Sequence, residues 1–292
     1  MKYGLVDTET NRKSFMLLVR TAFQWWLAPA RIGLLLAVAT VFLAPGRAIA
    51  QIGAEAQGGK VTTWVAFGLD KELSTRWNSV TDIGFGRHSD PTGDLNPVKR
   101  QGLFVLTQDF IYQLAPHWRT AISVGYWRRN SYLEEAPYEA SQPNTYRNEL
   151  RPFQKLYYDT KFGKVLFTNT LRADYRFYFT PDFGRWPTPF EFRAREMVNA
   201  KIPLDSEGRH WLILNDEILT ATDDYSAGTA EKLGHHWSPY KLTENRASFY
   251  YRRSFPEHKL DWDMGLMYQY WRETQQSAFN TSYNLMMDFI IK

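Results

Sequence analysis

The chain has no cysteine, which excludes disulfides, thiol nucleophiles and thiolate metal sites. Beyond position 50 it also lacks any apolar run long enough for a membrane-spanning helix, so a helical membrane protein is excluded for that part. Charge of one sign is missing too. Of 35 basic and 31 acidic residues, six basic (Lys2, Arg12, Lys13, Arg20, Arg31, Arg47) and two acidic (Asp7, Glu9) fall in the first 50, so the rest balance at 29 of each sign. The basic character therefore belongs to the N-terminus and gives no support to nucleic-acid binding. What the chain has in quantity is aromatic residues, 16% of 292 positions, in a sequence whose mean hydropathy is −0.45. Many aromatics with a polar average fit strands that alternate lipid-facing and water-facing residues.

The first 50 residues read as a secretory leader with a long n-region. Ile32–Leu43 is an uncharged apolar run behind Arg31, and Ala48-Ile49-Ala50 supplies the small residues of a cleavage site. Cleavage is expected after Ala50, with Met16 as an alternative start. The competing reading, a transmembrane anchor beginning at Phe23, is interrupted by Pro29 and Arg31. Residues 51–60 form a polar lead-in or a short first strand.

Over 61–292 the dominant period is two, the strand period. From Val165 to Phe179 one face carries Val165, Phe167, Leu171, Ala173, Tyr175, Phe177 and Phe179, broken by Asn169. The other carries Thr168, Thr170, Arg172, Asp174 and Arg176. Leu260–Trp271 and Tyr283–Ile291 repeat the pattern. Eleven strands are expected near 61–70, 76–87, 103–114, 118–129, 147–162, 164–179, 190–202, 210–222, 243–255, 259–272 and 282–291. Most exceed the lengths usual in soluble sheets and reach the nine to eleven residues a tilted strand needs to cross a bilayer. Connections alternate short and long, as in outer-membrane barrels. The expected architecture is an all-β, transmembrane, antiparallel up-and-down barrel. Because such barrels normally have an even strand count, twelve strands are expected, with ten as the alternative.

The blocks Asn148-Glu149-Leu150-Arg151-Pro152, Arg172-Ala173-Asp174-Tyr175-Arg176, Arg193-Ala194-Arg195, Asn215-Asp216-Glu217 and Glu244-Asn245-Arg246 occur in that order. In order and spacing they resemble the bacterial family called domain of unknown function 2490, over roughly residues 60–291. The sequence departs from that pattern where Glu244 replaces the more usual Gln and Pro152 follows Arg151. The resemblance implies an outer-membrane barrel of unassigned activity.

Strand parity puts the charges of these blocks on one face. A charge at the lipid midplane costs about 2–4 kcal/mol for Arg or Lys, so the charges are expected to face the lumen. The expected lumen network is Glu149, Arg151, Arg172, Asp174, Arg176, Glu191, Arg193, Arg195, Asn215, Glu217, Glu244, Arg246 and Asp263. Lys155, Asp159, Arg252 and Asp261 share those faces. Glu196 and Asp216 break the alternation and are read as bulges or strand ends. Paired charges would fill a narrow lumen and fix register; alternatively they line a narrow polar pore.

No catalytic constellation is found and no cofactor is implied. Gly86-Arg87-His88-Ser89-Asp90 bears a weak likeness to a barrel phospholipase site, but neighbours on a strand point to opposite faces, whereas a serine nucleophile needs its base within hydrogen-bond reach. His235-His236, preceded by Asp223 and Asp224, is read as a solvated loop rather than a zinc site, and Asn280-Thr281-Ser282 as a loop end. Interfacial girdle candidates are Trp64, Trp118, Tyr126, Tyr178, Trp211, Tyr270 and Tyr283.

The expected role is structural, or that of a narrow channel for small polar solutes in the bacterial outer membrane. The expected partners are outer-membrane lipid and the barrel assembly machinery, with no nucleic acid, and the expected state is a monomer. The alternatives are a ligand- or lipid-binding barrel, a barrel enzyme such as a phospholipase, and a soluble periplasmic β-protein of lipocalin type.

Overall fold

The computed structural model describes residues 60–90, 94–133, 136–227, 234–272 and 279–292. The leader, its cleavage site and a strand within 51–59 lie outside the described residues. Twelve strands follow one another: β1 (Val61–Glu72), β2 (Trp77–His88), β3 (Arg100–Ala115), β4 (Trp118–Asn130), β5 (Tyr146–Phe162), β6 (Val165–Phe179), β7 (Arg185–Pro203), β8 (His210–Ala227), β9 (Gly234–Trp237), β10 (Lys241–Phe255), β11 (Leu260–Trp271) and β12 (Asn280–Ile291). Among the described residues no helix is long and apolar enough to cross a membrane.

Eleven of these strands close into a ring, and the closure corrects the expected count of twelve. Sequential neighbours pair antiparallel, β8 pairs with β10 across the excursion that holds β9, and β12 returns to β1. An up-and-down ring with an odd number of members must bring its first and last strands together running the same way. β1 and β12 do pair in parallel, from Val61 opposite Tyr283 to Leu69 opposite Ile291. The barrel is therefore antiparallel everywhere except at this seam. β9 is the twelfth strand, but it is a four-residue rim strand paired only with Asp224–Ala227, where β8 outgrows the ring. The segment from Asp223 onward, read from sequence as a loop, is thus partly strand.

The connections sort by rim. The segments 73–76, 116–117, 163–164, 204–209 and 256–259 lie on one rim, called here the turn rim. The β2–β3, β4–β5, β8–β10 and β11–β12 connections, most of them longer, with the five-residue segment 180–184 and the start of β1, lie on the other, the loop rim. Gly163 shows why two residues suffice between β5 and β6: its φ of +57° is a conformation that glycine adopts without steric cost.

Burial alternates along the strands. In β11, Asp261, Asp263, Gly265, Met267 and Gln269 are buried while Met264, Leu266, Tyr268 and Tyr270 are exposed. The same inversion runs round the ring: Phe67, Ile83, Leu106, Ile122, Leu171, Leu214, Phe249 and Leu285 are exposed, whereas Asp109, Arg151, Asp174, Arg176, Arg252 and Asp263 are buried. Glu196 and Asp216 are neither bulges nor strand ends. Register runs unbroken through both, and they sit on the outer face, where they accept hydrogen bonds from Asn169 (3.1 Å) and Asn245 (2.9 Å).

Three girdle candidates face the other way. Trp64 and Tyr178 are buried inside, and Trp211 packs against the internal cluster. Trp118, Tyr270 and Tyr283 are exposed on the outer surface, and Tyr126 donates to Asn148 Oδ1 at 2.7 Å. Trp64 fits inside because the facing strand offers glycine: a Cβ at Gly84 would stand 2.2 Å from its ring.

Candidate functional site

Parity on the ring strands sends the charged blocks into one enclosed space, so the interior is the place to look for function. Its first layer, toward the loop rim, is a continuous belt of ion pairs. Arg151 Nε donates to Glu149 Oε1 at 2.5 Å. Arg176 grips the same carboxylate with two bonds, Nε to Oε1 at 2.8 Å and Nη2 to Oε2 at 2.9 Å. Its Nη1 reaches Glu191 Oε1 at 2.6 Å. Arg193 then joins Glu191 (2.8 Å) to Glu244 (3.3 Å). Arg246 joins Glu244 (2.5 Å) to Glu217 (3.0 Å). Arg195 lies 3.6 Å from Glu217 and 2.5 Å from Asp174, which also accepts from Arg172 at 2.6 Å. The belt passes on through Gln269, which donates to Glu244, and Ser282, which donates to Gln269 at 3.1 Å.

Of the expected lumen network, all but Asn215 and Asp263 meet in this belt. Asn215 accepts from Asn199 and donates to Ser248 Oγ at 3.0 Å. Asp263 receives both Nε (2.6 Å) and Nη2 (2.5 Å) of Arg252 nearer the turn rim.

Beside the belt lies an apolar cluster of Trp64, Leu103, Val105, Trp127, Phe153, Ile213, Tyr250, Met267 and Met286, which on β1–β4 stands level with it, Trp127 being the register partner of Glu149. Belt and cluster are joined by guanidinium–ring stacking. Arg151 sits 3.8 Å from the centroid of Trp127, and Arg172 sits 3.8 Å from that of Phe153. A planar, weakly hydrated guanidinium can bind a carboxylate at its edge and an aromatic ring at its face. Arginine thereby bridges the polar belt and the apolar cluster.

Toward the turn rim the interior is polar again. Lys155 reaches Asp109 at 2.5 Å. Arg119 makes two bonds to Asp159 (2.6 and 3.0 Å), which also accepts from Thr168 at 2.7 Å. Arg252 and Lys292 approach Asp261 at 3.3 and 2.6 Å. Here the lumen opens into a cavity of about 350 Å³, with Lys201, Trp211, Arg252, Lys259 and Lys292 in its wall.

Sequence reasoning missed Asp82, Asp109, Arg119, Lys201, Gln269 and Asp288. The signal was available, because each continues the inward parity of an expected strand. Lys201 follows Arg193, Arg195 and Asn199; Asp288 lies opposite the outward row Tyr283, Leu285, Met287 and Phe289.

The motif at the end of β2 is a clasp between strands. Ser89 Oγ donates to the Asp90 carbonyl (3.0 Å) and accepts from the Val61 N–H (3.3 Å), while His88 Nδ1 lies 2.8 Å from the Ser89 carbonyl. Both side chains are thus engaged with backbone. Asp223 and Asp224 are buried at the end of β8, and Asp223 N–H donates to Ser238 Oγ at 2.9 Å.

A search of curated proteins finds no match to this chain. A family model does match, over residues 61–280, from the first residue of β1 to the first residue of β12 and so across every charged block of the belt. The chain belongs to the family described as protein of unknown function (DUF2490).

Proposed function

We propose that the chain is an outer-membrane β-barrel that lipid surrounds and whose lumen is sealed to ion flow. Its role would be structural, with the two rims as working surfaces. The observation that carries this reading is the inverted polarity of the ring: apolar side chains exposed outside, and arginine and carboxylate pairs buried inside. Soluble monomers rarely expose contiguous apolar patches beyond a few hundred Å², and here apolar side chains are exposed on every ring strand. Ring strands of 12 to 19 residues exceed the nine to eleven that a tilted strand needs to span the hydrocarbon. The leader-like segment Ile32–Leu43 with Ala48–Ala50 supports export. Insertion would then require the barrel assembly machinery, and the closed ring leaves no free sheet edge to demand an oligomer.

Two features favour a sealed lumen over a pore. The belt's arginines and carboxylates are mutually engaged rather than presented to a water column, and the interior beside it on β1–β4 is filled by apolar side chains, with Trp64 and Leu103 wholly buried. The test is fractionation and reconstitution. The protein should partition with outer membranes, migrate faster on gels before heating than after, and give no steady conductance in planar bilayers. Release in a periplasmic extract would defeat the membrane reading, and stepwise conductance would defeat the sealed lumen.

A further inference from the structure

We propose that the inner face of the β12–β1 seam is a site for one hard divalent cation of magnesium size, held between Asp288 on β12 and Asp82 on β2. This goes beyond the reading of the barrel as a sealed membrane scaffold and does not depend on lipid surrounding it.

The first argument is an unanswered carboxyl group. Asp288 is 4% exposed, and neither of its side-chain oxygens makes a hydrogen bond. The Trp64 indole N–H acts on it from β1 but closes no hydrogen bond. Asp82 is also buried and accepts one long hydrogen bond, from Thr107 at 3.5 Å. Buried polar groups are almost always hydrogen-bonded, and an exception calls for an ion or another partner.

The second argument is the charge around these two groups. Asp288 stands directly opposite Asp263 on β11, and Asp82 acts on it from the other side. Asp82 in turn faces Asp109 and Asp70. The cations that act on the pair are already engaged: Arg252 gives two hydrogen bonds to Asp263, and Lys155 Nζ lies 2.5 Å from Asp109. Lys201 acts on Asp263 and Asp159. Asp82 and Asp288 are thus two carboxyl groups for which the described interior supplies no ion pair, and one divalent ion balances both.

The third argument is room and access. β1 runs between the two groups and presents small residues there, Ala66 as the register partner of Asp288 and Gly68 as that of Asp82. Asp82 Oδ1 lies 2.7 Å from where a Cβ at Gly68 would stand, so its carboxyl group lies over the strand that separates it from Asp288. Asp70 is in the wall of the turn-rim cavity, so a cation enters from that rim past a carboxylate. Among the described residues no group of three or more His, Asp or Glu side chains is placed to hold a metal. Two carboxylates with water completing an octahedron is, however, the usual way of holding Mg²⁺. Buried carboxyl groups without a partner neutralise themselves by taking up protons, so cation binding releases protons and tightens as pH rises.

The experiment is a titration of the purified full chain, stripped with chelator, in a nonionic detergent at pH 8. The probe is Mn²⁺, which shares the preference of Mg²⁺ for octahedral oxygen ligands, and loss of its free-ion EPR signal counts the bound ions. Wild type should bind one Mn²⁺ per chain, in competition with Mg²⁺. Asp288→Asn and Asp82→Asn should each weaken binding by at least about tenfold, the loss that even outer-shell partners of a metal cause. Each variant removes a charge and keeps the shape, so in chelator it should resist urea no less than wild type does. Added Mg²⁺ should then stabilise wild type alone. Asp216→Asn, on the outer face, tests for adventitious binding to exposed carboxylates and should bind like wild type. Any of four results overturns the site: no Mn²⁺ bound by folded wild type, no competition by Mg²⁺, unchanged affinity in whichever of the Asp288→Asn and Asp82→Asn variants folds, or an equal loss in Asp216→Asn.

Discussion

Arg176 holds Glu149 through two hydrogen bonds, 2.8 and 2.9 Å long, with both side chains almost wholly buried. Glu149 is also the carboxylate on Arg151, and Arg176 is also the cation on Glu191. Each member of this pair therefore answers to two partners, and the belt behaves as one unit. Glu149→Ala would leave two buried guanidinium groups short of a carboxylate, a change that costs about 3–5 kcal/mol when a buried pair is broken from one side. Urea unfolding of the reconstituted barrel, followed by tryptophan fluorescence, should show that loss. The double variant Glu149→Ala/Arg176→Ala should lose less than the sum of the singles, with a coupling of about 0.5–3 kcal/mol. Strict additivity would mean that the belt is a set of independent contacts.

A second prediction concerns Trp64. Its ring occupies the space a side chain at Gly84 would need, with 2.2 Å between the ring and an added Cβ. Gly84→Ala must push the ring into Leu103 and its neighbours in the apolar cluster, an overpacking cost of about 1–3 kcal/mol. Pairing it with Trp64→Leu, which vacates the space, should recover part of the loss. No recovery would show that the glycine is needed for backbone reasons instead.

How much of this was legible beforehand depended on contrast between the two faces of a strand. In β6, outward Tyr175 and Phe177 alternate with inward Asp174 and Arg176, and the belt residues could be named from parity alone. In β1 both faces are apolar: Trp64 and Ala66 point in while Val65 and Phe67 point out. Parity there says which residues travel together but not which way they point, so Trp64 was misplaced on the outer girdle. Tyr178 was misplaced for a related reason, since an aromatic at the end of the Asp174–Arg176 face was read by its type rather than its parity. The ring count was beyond local reading altogether. It is decided by the pairing of β1 with β12, more than 200 positions apart in the chain. No local pattern distinguishes an odd ring with a parallel seam from an even one.

The loop rim should respond to acid in a defined window. Lys99 Nζ lies 2.5 Å from Asp90 and 2.7 Å from Asp94, and Arg100 Nε lies 2.5 Å from Asp90. The hydrogen bond from Lys99, followed by that from Arg100, holds the Asp90 carboxyl below its ordinary value of 3.8, and Lys99 does the same to Asp94. A carboxyl whose pKa is depressed by folding contributes stability above its unfolded pKa and loses it as pH falls through the folded one. Amide protection at Ser89, Asp90 and Lys99, the exchange rate taken relative to the intrinsic rate at each pH, should therefore be unchanged from pH 8 to 5 and fall only below about pH 4. Asp90→Asn should show the low protection at every pH. A loss of protection already at pH 6 would point to His88 instead.

The outer surface supplies the sharpest test of the membrane reading, because it contains both the rule and its exceptions. Leu266, on β11, is exposed among Met264, Tyr268 and Leu285. On the proposed reading these residues touch acyl chains, so Leu266→Arg should cost about 2–4 kcal/mol in a bilayer if it lies near the midplane. In a water-facing surface the same change would be close to neutral. Asp216 is the opposite case, an exposed carboxylate on the outer face of β8 that accepts from the Asn245 amide at 2.9 Å. Desolvating a carboxylate is unfavourable even with one hydrogen bond, so Asp216→Leu/Asn245→Leu should stabilise the barrel in lipid while leaving the interior belt untouched. Refolding titrations into phosphatidylcholine vesicles would read both variants on one scale. A neutral Leu266→Arg together with a destabilising Asp216→Leu/Asn245→Leu would mean that this surface meets water or a protein partner rather than lipid.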